Sequence, residues 1–277
     1  MPPKISSANT QMFALRCPPP GRVELGGCAY DLVRVFKHDF FAATCLYQAA
    51  GPAAPFDRVV VKFGRDQAFC GLPLAWYGRL LRRHEEAIYR LLAGIEGVPR
   101  WAGSLSETAY AIEYIDARPL DHLEAPPPGL FDRLREIFCA IHARGVGYCD
   151  ANKRSNILVD DAGQPFLIDY QIAIRRRDDL PWPLSSLSAA AVRYIQQRDV
   201  YHLFKHKRRL CPDQMTPQEM ELSRKRTGLH WLHRKLTKPW RSLRRAFLSK
   251  QYRTGQLASP TAELEDHYQP EKDAWRK

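Results

Sequence analysis

The sequence holds no run of about 18 apolar residues, so no transmembrane helix is predicted. Its seven cysteines contain no C-x-x-C pair and are odd in number. That argues against a zinc site or a disulfide framework and for reduced thiols. The opening stretch MPPKISSANTQMFALRCPPP is polar and broken by proline, without the apolar core of a signal peptide. A cytoplasmic protein is therefore expected. No internal repeat of solenoid period is present. Acidic residues are in short supply, 30 against 42 basic ones, for a formal net charge of +12. This points to anionic partners such as nucleotides, nucleic acid or anionic lipid, and says nothing about fold. What remains is an ordinary globular composition of 277 residues, enough for one large domain or two small ones.

Residues 1–27, rich in Pro, Ser and Gly, read as a flexible arm. LVRVFKHDF, ATCLYQAA and RVVVKF follow, β-branched and aromatic runs parted by turn residues, and predict three strands. Residues 73–93 predict a helix with Leu74, Tyr77, Leu81, Ile88 and Leu92 near one stripe and Gly94 ending it. WAGSLSETAYAIEYI reads as a hairpin turning near Ser106 and Glu107, DARPLDHLEAPPPG as a linker, and LFDRLREIFCAIHARG as a second helix. Beyond Asp169 the chain becomes mostly helical and increasingly basic.

The stretch HARGVGYCDANKRSNILVDDAGQPFLIDYQIA, from His142 to Ala173, carries the chemistry. ILV and FLI are short strands turned by DAGQ. The hairpin brings Asn156, just before the first strand, back toward Asp169 at the end of the second. A converging amide oxygen and carboxylate suit a hard cation that keeps waters and binds phosphate oxygens. Asp150, on the preceding loop, is placed to accept a proton from a hydroxyl nucleophile.

Together these residues resemble the catalytic loop and metal-binding segment of the protein kinase-like superfamily. The H-x-x-G-[IV] lead-in is His142 to Val146, the catalytic-loop Asp is Asp150, and the two metal positions are Asn156 and Asp169. The resemblance implies further parts. Lys62 in RVVVKF takes the place of the third-strand lysine. Glu85 is preferred over Glu86 as its partner, since Ile88, Tyr89 and Leu92 then fall at apolar offsets. YAIEYIDARPL resembles the hinge, with Ile112 behind an adenine and Glu113 to Ile115 facing its edge. Asp199 in RDVYHLF would brace the catalytic loop. ATP and Mg²⁺ are the implied cofactors.

The sequence also departs from the family. The turn KHDFFAAT holds no glycine where a glycine-rich loop belongs, and Lys37 or His38 would have to bring charge to the phosphates. The interval from Asp150 to Asn156 is one residue longer than the family's usual one, so the loop bulges or Asn156 shifts register. Lys153 or Arg154 could steady a γ-phosphate; Lys153 is taken as a catalytic residue with Asp150. No Ala-Pro-Glu follows Asp169-Tyr170-Gln171. In that reduction the sequence is similar to bacterial lipopolysaccharide core kinases.

The expected architecture is thus α+β and bilobal: an arm (1–27), a small antiparallel-sheet lobe with one helix (28–115), a reduced, mainly helical lobe with a basic extension (116–250) and a disordered tail (251–277). The expected function is ATP- and Mg-dependent phosphoryl transfer to a hydroxyl of a glycolipid sugar or a protein Ser/Thr. The rival is a pseudokinase, a nucleotide-binding or scaffold protein without turnover. The basic segment around Trp231 admits peripheral contact with an anionic inner-membrane face. No nucleic-acid reader motif accompanies the charge.

Overall fold

The computed structural model describes residues 13–69 and 71–224. The extension beyond Arg224, including Trp231, and the tail at 251–277 lie outside the described residues. The described chain divides into two compact units, residues 13–83 with 102–114, and residues 84–101 with 115–224. The architecture is α+β, a strand-rich N-terminal part followed by a mainly helical one.

An antiparallel sheet organises the first unit. Its strands are β1 (Arg22–Leu25), β2 (Cys28–His38), β3 (Ala42–Ala49), β4 (Arg58–Gly64), β5 (Trp101–Ser104) and β6 (Ala109–Glu113), in the order β1-β2-β3-β4-β6-β5. Alternation places Val59 and Val61 of β4 in a core with Val35, Cys45, Tyr47 and Ala111. The opposite face of β4 carries Val60 and Lys62. Val60 lies opposite Leu46 and Ile112, and Lys62 opposite Thr44 and Tyr110. Directly opposed residues share a face, so Lys62 and Ile112 stand on one side of the sheet, over Leu46 and Val60.

Residues 13–27 are not a loose arm. Val23 and Leu25 are buried, and β1 turns into β2 through Gly26 and Gly27, both at positive φ. A two-residue turn of that kind needs residues that tolerate the left-handed region. The small, turn-forming residues that suggested mobility are there to make the hairpin. Phe13 and Ala14 are buried as well.

The helix α1 (Ala75–Leu91) stops three residues before Gly94, which adopts φ 82°. Gly78, a weak helix former, has a packing reason to be there. A Cβ at this position would meet the backbone oxygen of Arg65 at 2.1 Å. Gly78→Ala is therefore expected to lose about 2 kcal/mol or more by overpacking, despite the roughly 1 kcal/mol that alanine gains in an ordinary helix. Chemical denaturation checks the sign.

The second unit holds α2 (Leu130–Ala143), α3 (Leu184–Leu210) and α4 (Pro217–Arg224), with three short pairings. These are β9 (Ile157–Val159) with β10 (Pro165–Leu167), β7 (Arg118–Pro119) with β9, and β8 (Val146–Gly147) with β11 (Ile174–Arg175). Apolar Leu130, Leu134, Ile137, Phe138 and Ile141 bury one stripe of α2. Lys207 of α3 and Glu219 of α4 form a buried two-pronged pair at 2.9 Å.

Candidate active site

The β9–β10 hairpin sets Ile157 opposite Leu167. Just past the last pair, Ile168 N–H donates to the Asn156 carbonyl at 3.1 Å. Asn156 and Asp169 therefore flank the open end of the same hairpin. Asp169 adopts φ 65° and Cys149 φ 69°. Such backbone is costly for non-glycine residues and persists where the surroundings hold it.

Asp150 and Asn156 are both buried. The Asn156 amide donates from Nδ2 to Asp150 Oδ2 at 2.9 Å, and Lys153 Nζ reaches the same oxygen at 2.7 Å. The extra residue of this loop is absorbed by a 3₁₀ turn at Arg154–Asn156, with Lys153 N–H on the Asp150 carbonyl and Asn156 N–H on the Lys153 carbonyl. The loop tightens rather than bulging outward. Both basic candidates are exposed, and Lys153 reaches Asp150.

Asp199 of α3 is fully buried and accepts from Tyr148 N–H at 2.8 Å and Cys149 N–H at 3.1 Å. His142 Nε2 lies 3.2 Å from Asp199 Oδ2. Burial pushes the Asp199 carboxyl above its ordinary value, against the pull of those hydrogen bonds. The residues preceding Asp150 are thus tied by their backbone to α3. Burial also pushes the Cys149 thiol up to about 12, which leaves it an unreactive packing group.

Three tyrosines underlie the loop, and sequence reasoning gave them no joint role. Tyr170 packs edge-on against Tyr89 and Tyr148 at centroid distances of 5.1 and 5.2 Å. The Tyr148 hydroxyl donates to the Ile168 carbonyl. Cys149 stands where the resemblance places an arginine, and Tyr148 before it is fully buried. The signal was present in Tyr89 at an apolar offset and Tyr170 as the aromatic after Asp169. Neither position alone disclosed the stack.

His206 of α3 braces the loop from a third direction, with Nε2 3.0 Å from the Ala151 carbonyl. Burial, aided by Lys205, Arg154 and Arg209, pushes this imidazole down to about 4 from 6.5. A depressed histidine favours its neutral form in the fold. Its contribution is complete above pH about 6.5 and is lost as pH falls toward about 4, on the order of 3 kcal/mol in all. Urea melts at neutral and mildly acidic pH should show that loss, and His206→Gln should flatten the dependence.

In the first unit, His38 is buried and its Nε2 accepts from Leu15 N–H at 3.1 Å. That removes it as a phosphate ligand. Lys37 pairs with Asp39 at 2.7 Å, and the Asp39 carboxylate also accepts from Phe41 and Ala42 N–H at 2.8 and 3.0 Å. The glycine-free turn is closed on its own aspartate. Those contacts hold the Asp39 carboxyl below its usual value, although burial opposes them. Arg65, 0% exposed, anchors the same turn by donating to the carbonyls of Phe13, Phe40, Gln67 and Ala68 at 3.0–3.2 Å.

Lys62 is half-buried on β4 in the first unit, and Glu85, 4% exposed, belongs to the second. Glu86 instead makes a surface pair with Arg90 at 2.8 Å. Ile112 and Glu113 end β6 in the first unit, and Ile115 begins the following segment in the second.

A divalent cation is implied by the resemblance, and the donor set fits one. Asn156 spends its amide N–H on Asp150, so its amide oxygen remains as a ligand atom, with the Asp169 carboxylate across the hairpin mouth. Two hard oxygens suit Mg²⁺, which keeps several waters and phosphate oxygens. Among the described residues no group of three or more His, Cys, Asp or Glu side chains could hold a metal.

No protein-family model matches this chain, and no curated protein matches it. Among solved structures it is similar to the Rio2 kinase-ADP/Mg²⁺-phosphoaspartate complex from Chaetomium thermophilum, at 16% identity and a TM-score of 0.47. A second structure of that Rio2 kinase gives 16% and 0.48. In both cases the likeness covers 69% of this chain and 61% of the other.

Proposed function

We propose that the protein is an ATP- and Mg-dependent phosphotransferase acting on a hydroxyl acceptor. The observation that supports this best is the carboxylate of Asp150 held by Asn156 and Lys153, beside a hairpin mouth that carries Asp169. Both donors meet Oδ2 of Asp150, which leaves Oδ1 to orient an acceptor hydroxyl and take its proton. Lys153, displaced from Asp150 by the incoming phosphate, would steady the γ-phosphate. Asn156 and Asp169 would hold Mg²⁺, which supplies charge neutralisation on the phosphates. Lys62 would bind the α- and β-phosphates, with Glu85 as its partner. Ile112 would pack behind the adenine, with the backbone of Glu113 to Ile115 meeting its edge. Asp199 keeps the loop in place. Such catalysis is positioning and electrostatics more than covalent chemistry.

The acceptor is proposed to be a sugar hydroxyl of an anionic glycolipid, or a protein Ser/Thr, in keeping with the net charge of +12. Radiolabelled ATP offered to membrane lipid, total protein and small-molecule fractions tests this. Label in the lipid fraction supports the glycolipid, and label in none overturns transfer.

One observation favours the pseudokinase reading. Lys37 and the Phe41 and Ala42 N–H groups are engaged by Asp39, so the turn offers these donors to phosphate only by exchanging Asp39. Mg-ATP binding without transfer to any fraction would decide for it.

A further inference from the structure

We propose that the segment from Leu180 to Val192, in the second unit, is a docking surface for an anionic lipid bilayer. LPWPLSSLSAAAV contains no charged residue. Trp182 is 81% exposed, Leu184 50% and Leu187 62%. Leu184, Leu187 and Ala191 fall at i, i+3 and i+7, on one face at the start of α3. Leucines there with an exposed indole beside them form an amphipathic element of the kind that settles at the headgroup boundary, where Trp is favoured.

The neighbouring charge fixes the choice of occupant. Arg175, Arg176 and Arg177 precede the segment, and Arg177 N–H donates to Ser188 Oγ at 2.9 Å, which holds this basic run beside the second turn of α3. Arg176 and Arg177 pair with Asp178 and Asp179 across exposed contacts. Exposed pairs of this kind are weak and exchange readily for lipid phosphates and carboxylates. Arginines at the margin of an uncharged apolar surface complement anionic headgroups. A second copy of the chain is disfavoured as occupant by the same charge, +12 on each molecule. The surface is connected to the loop of Asp150. β11, which ends in Arg175, pairs with β8, and β8 leads through Tyr148 into that loop. A membrane-borne acceptor held here would meet the same unit that carries Asp150.

The inference stands apart from the proposed transferase activity, because lipid binding is read without ATP. The test is flotation of the full chain with phosphatidylcholine vesicles, with and without phosphatidylserine. Binding is expected with phosphatidylserine alone and should weaken as salt is raised. Trp182→Ser/Leu184→Ser/Leu187→Ser changes only exposed side chains, and a melting curve verifies the fold. It should bind on the order of tenfold more weakly or less. Arg175→Gln/Arg176→Gln/Arg177→Gln should reduce the preference for phosphatidylserine. Absence of wild-type binding overturns the proposal. So does undiminished binding of the triple serine variant, which would assign the lipid contact to the basic segment beyond Arg224. A wild-type dimer that the serine variant converts to monomer would also overturn it, by showing that the surface meets another copy.

Discussion

Asp150→Ala is expected to lower phosphoryl transfer by a factor of about 10²–10⁴, the usual contribution of a positioned proton acceptor, while Mg-ATP binding stays close to that of the parent. The reason is geometric. Asp150 meets Asn156 and Lys153 through one oxygen and is held by a loop whose backbone is tied to Asp199. Asp150→Asn is the sharper variant. It retains the size and a carbonyl acceptor for Asn156, yet it cannot take a proton, so it should be nearly as inactive with less change in stability. Single-turnover transfer from radiolabelled ATP gives the rate, and a nucleotide titration gives the affinity. An Asp150→Asn protein that transfers phosphate at the parent rate would remove this residue from the chemistry.

The second large effect is expected at a residue with no role in proton transfer. Arg65→Met should destabilise the fold by on the order of 4 kcal/mol. The guanidinium is sealed from solvent and donates to four carbonyls, and its plane lies 4.0 Å from the Phe40 ring. Methionine fills much of the volume but removes the Arg65 donor from all four carbonyls; Phe13 keeps the Gln67 amide, and each carbonyl left unrelieved in a buried place costs about 1–3 kcal/mol. Arg65→Lys should fall between the two, since one ammonium cannot span the four acceptors that the planar fork reaches. Urea denaturation reads both. A melt for Arg65→Met that overlays the parent curve would show that the carbonyls find other donors. Because two of the four carbonyls belong to Phe13 and Phe40, the variant should also loosen the glycine-free turn and raise the KM for ATP in whatever protein remains folded.

Arg65 also illustrates what the sequence could not disclose. An arginine two residues after a lysine-bearing strand reads as a surface charge, and its acceptors lie up to 52 residues away along the chain. The strand RVVVKF was legible because β-branched alternation is local, and so was the DAGQ hairpin that sets Asn156 opposite the Asp169 end. The buried face of the helix, with Ile88, Tyr89 and Leu92, was legible for the same reason, since helical periodicity is local too. Pairings that close over long separations were not legible. β1 pairs locally with β2 but was hidden by the glycines and prolines that flank it, which composition assigns to mobile chain. The contacts of His38 with Leu15 and of His206 with Ala151 depend on tertiary packing alone. The 3₁₀ turn before Asn156 lies between these cases: the extra residue was countable, but its direction was not.

The central claim is that Asp169 and Asn156 hold a metal–nucleotide complex. Thermal shift with ATP, alone and with Mg²⁺, measures this most directly, because a ligand that binds only the folded state raises stability by about 2.7 kcal/mol at a hundredfold excess over its Kd. The account predicts that Mg-ATP raises the melting temperature well beyond ATP with chelator, and that Asp169→Ala abolishes the increment due to Mg²⁺. A parent protein that Mg-ATP leaves unmoved, or an Asp169→Ala protein that keeps the full Mg²⁺ increment, would contradict it.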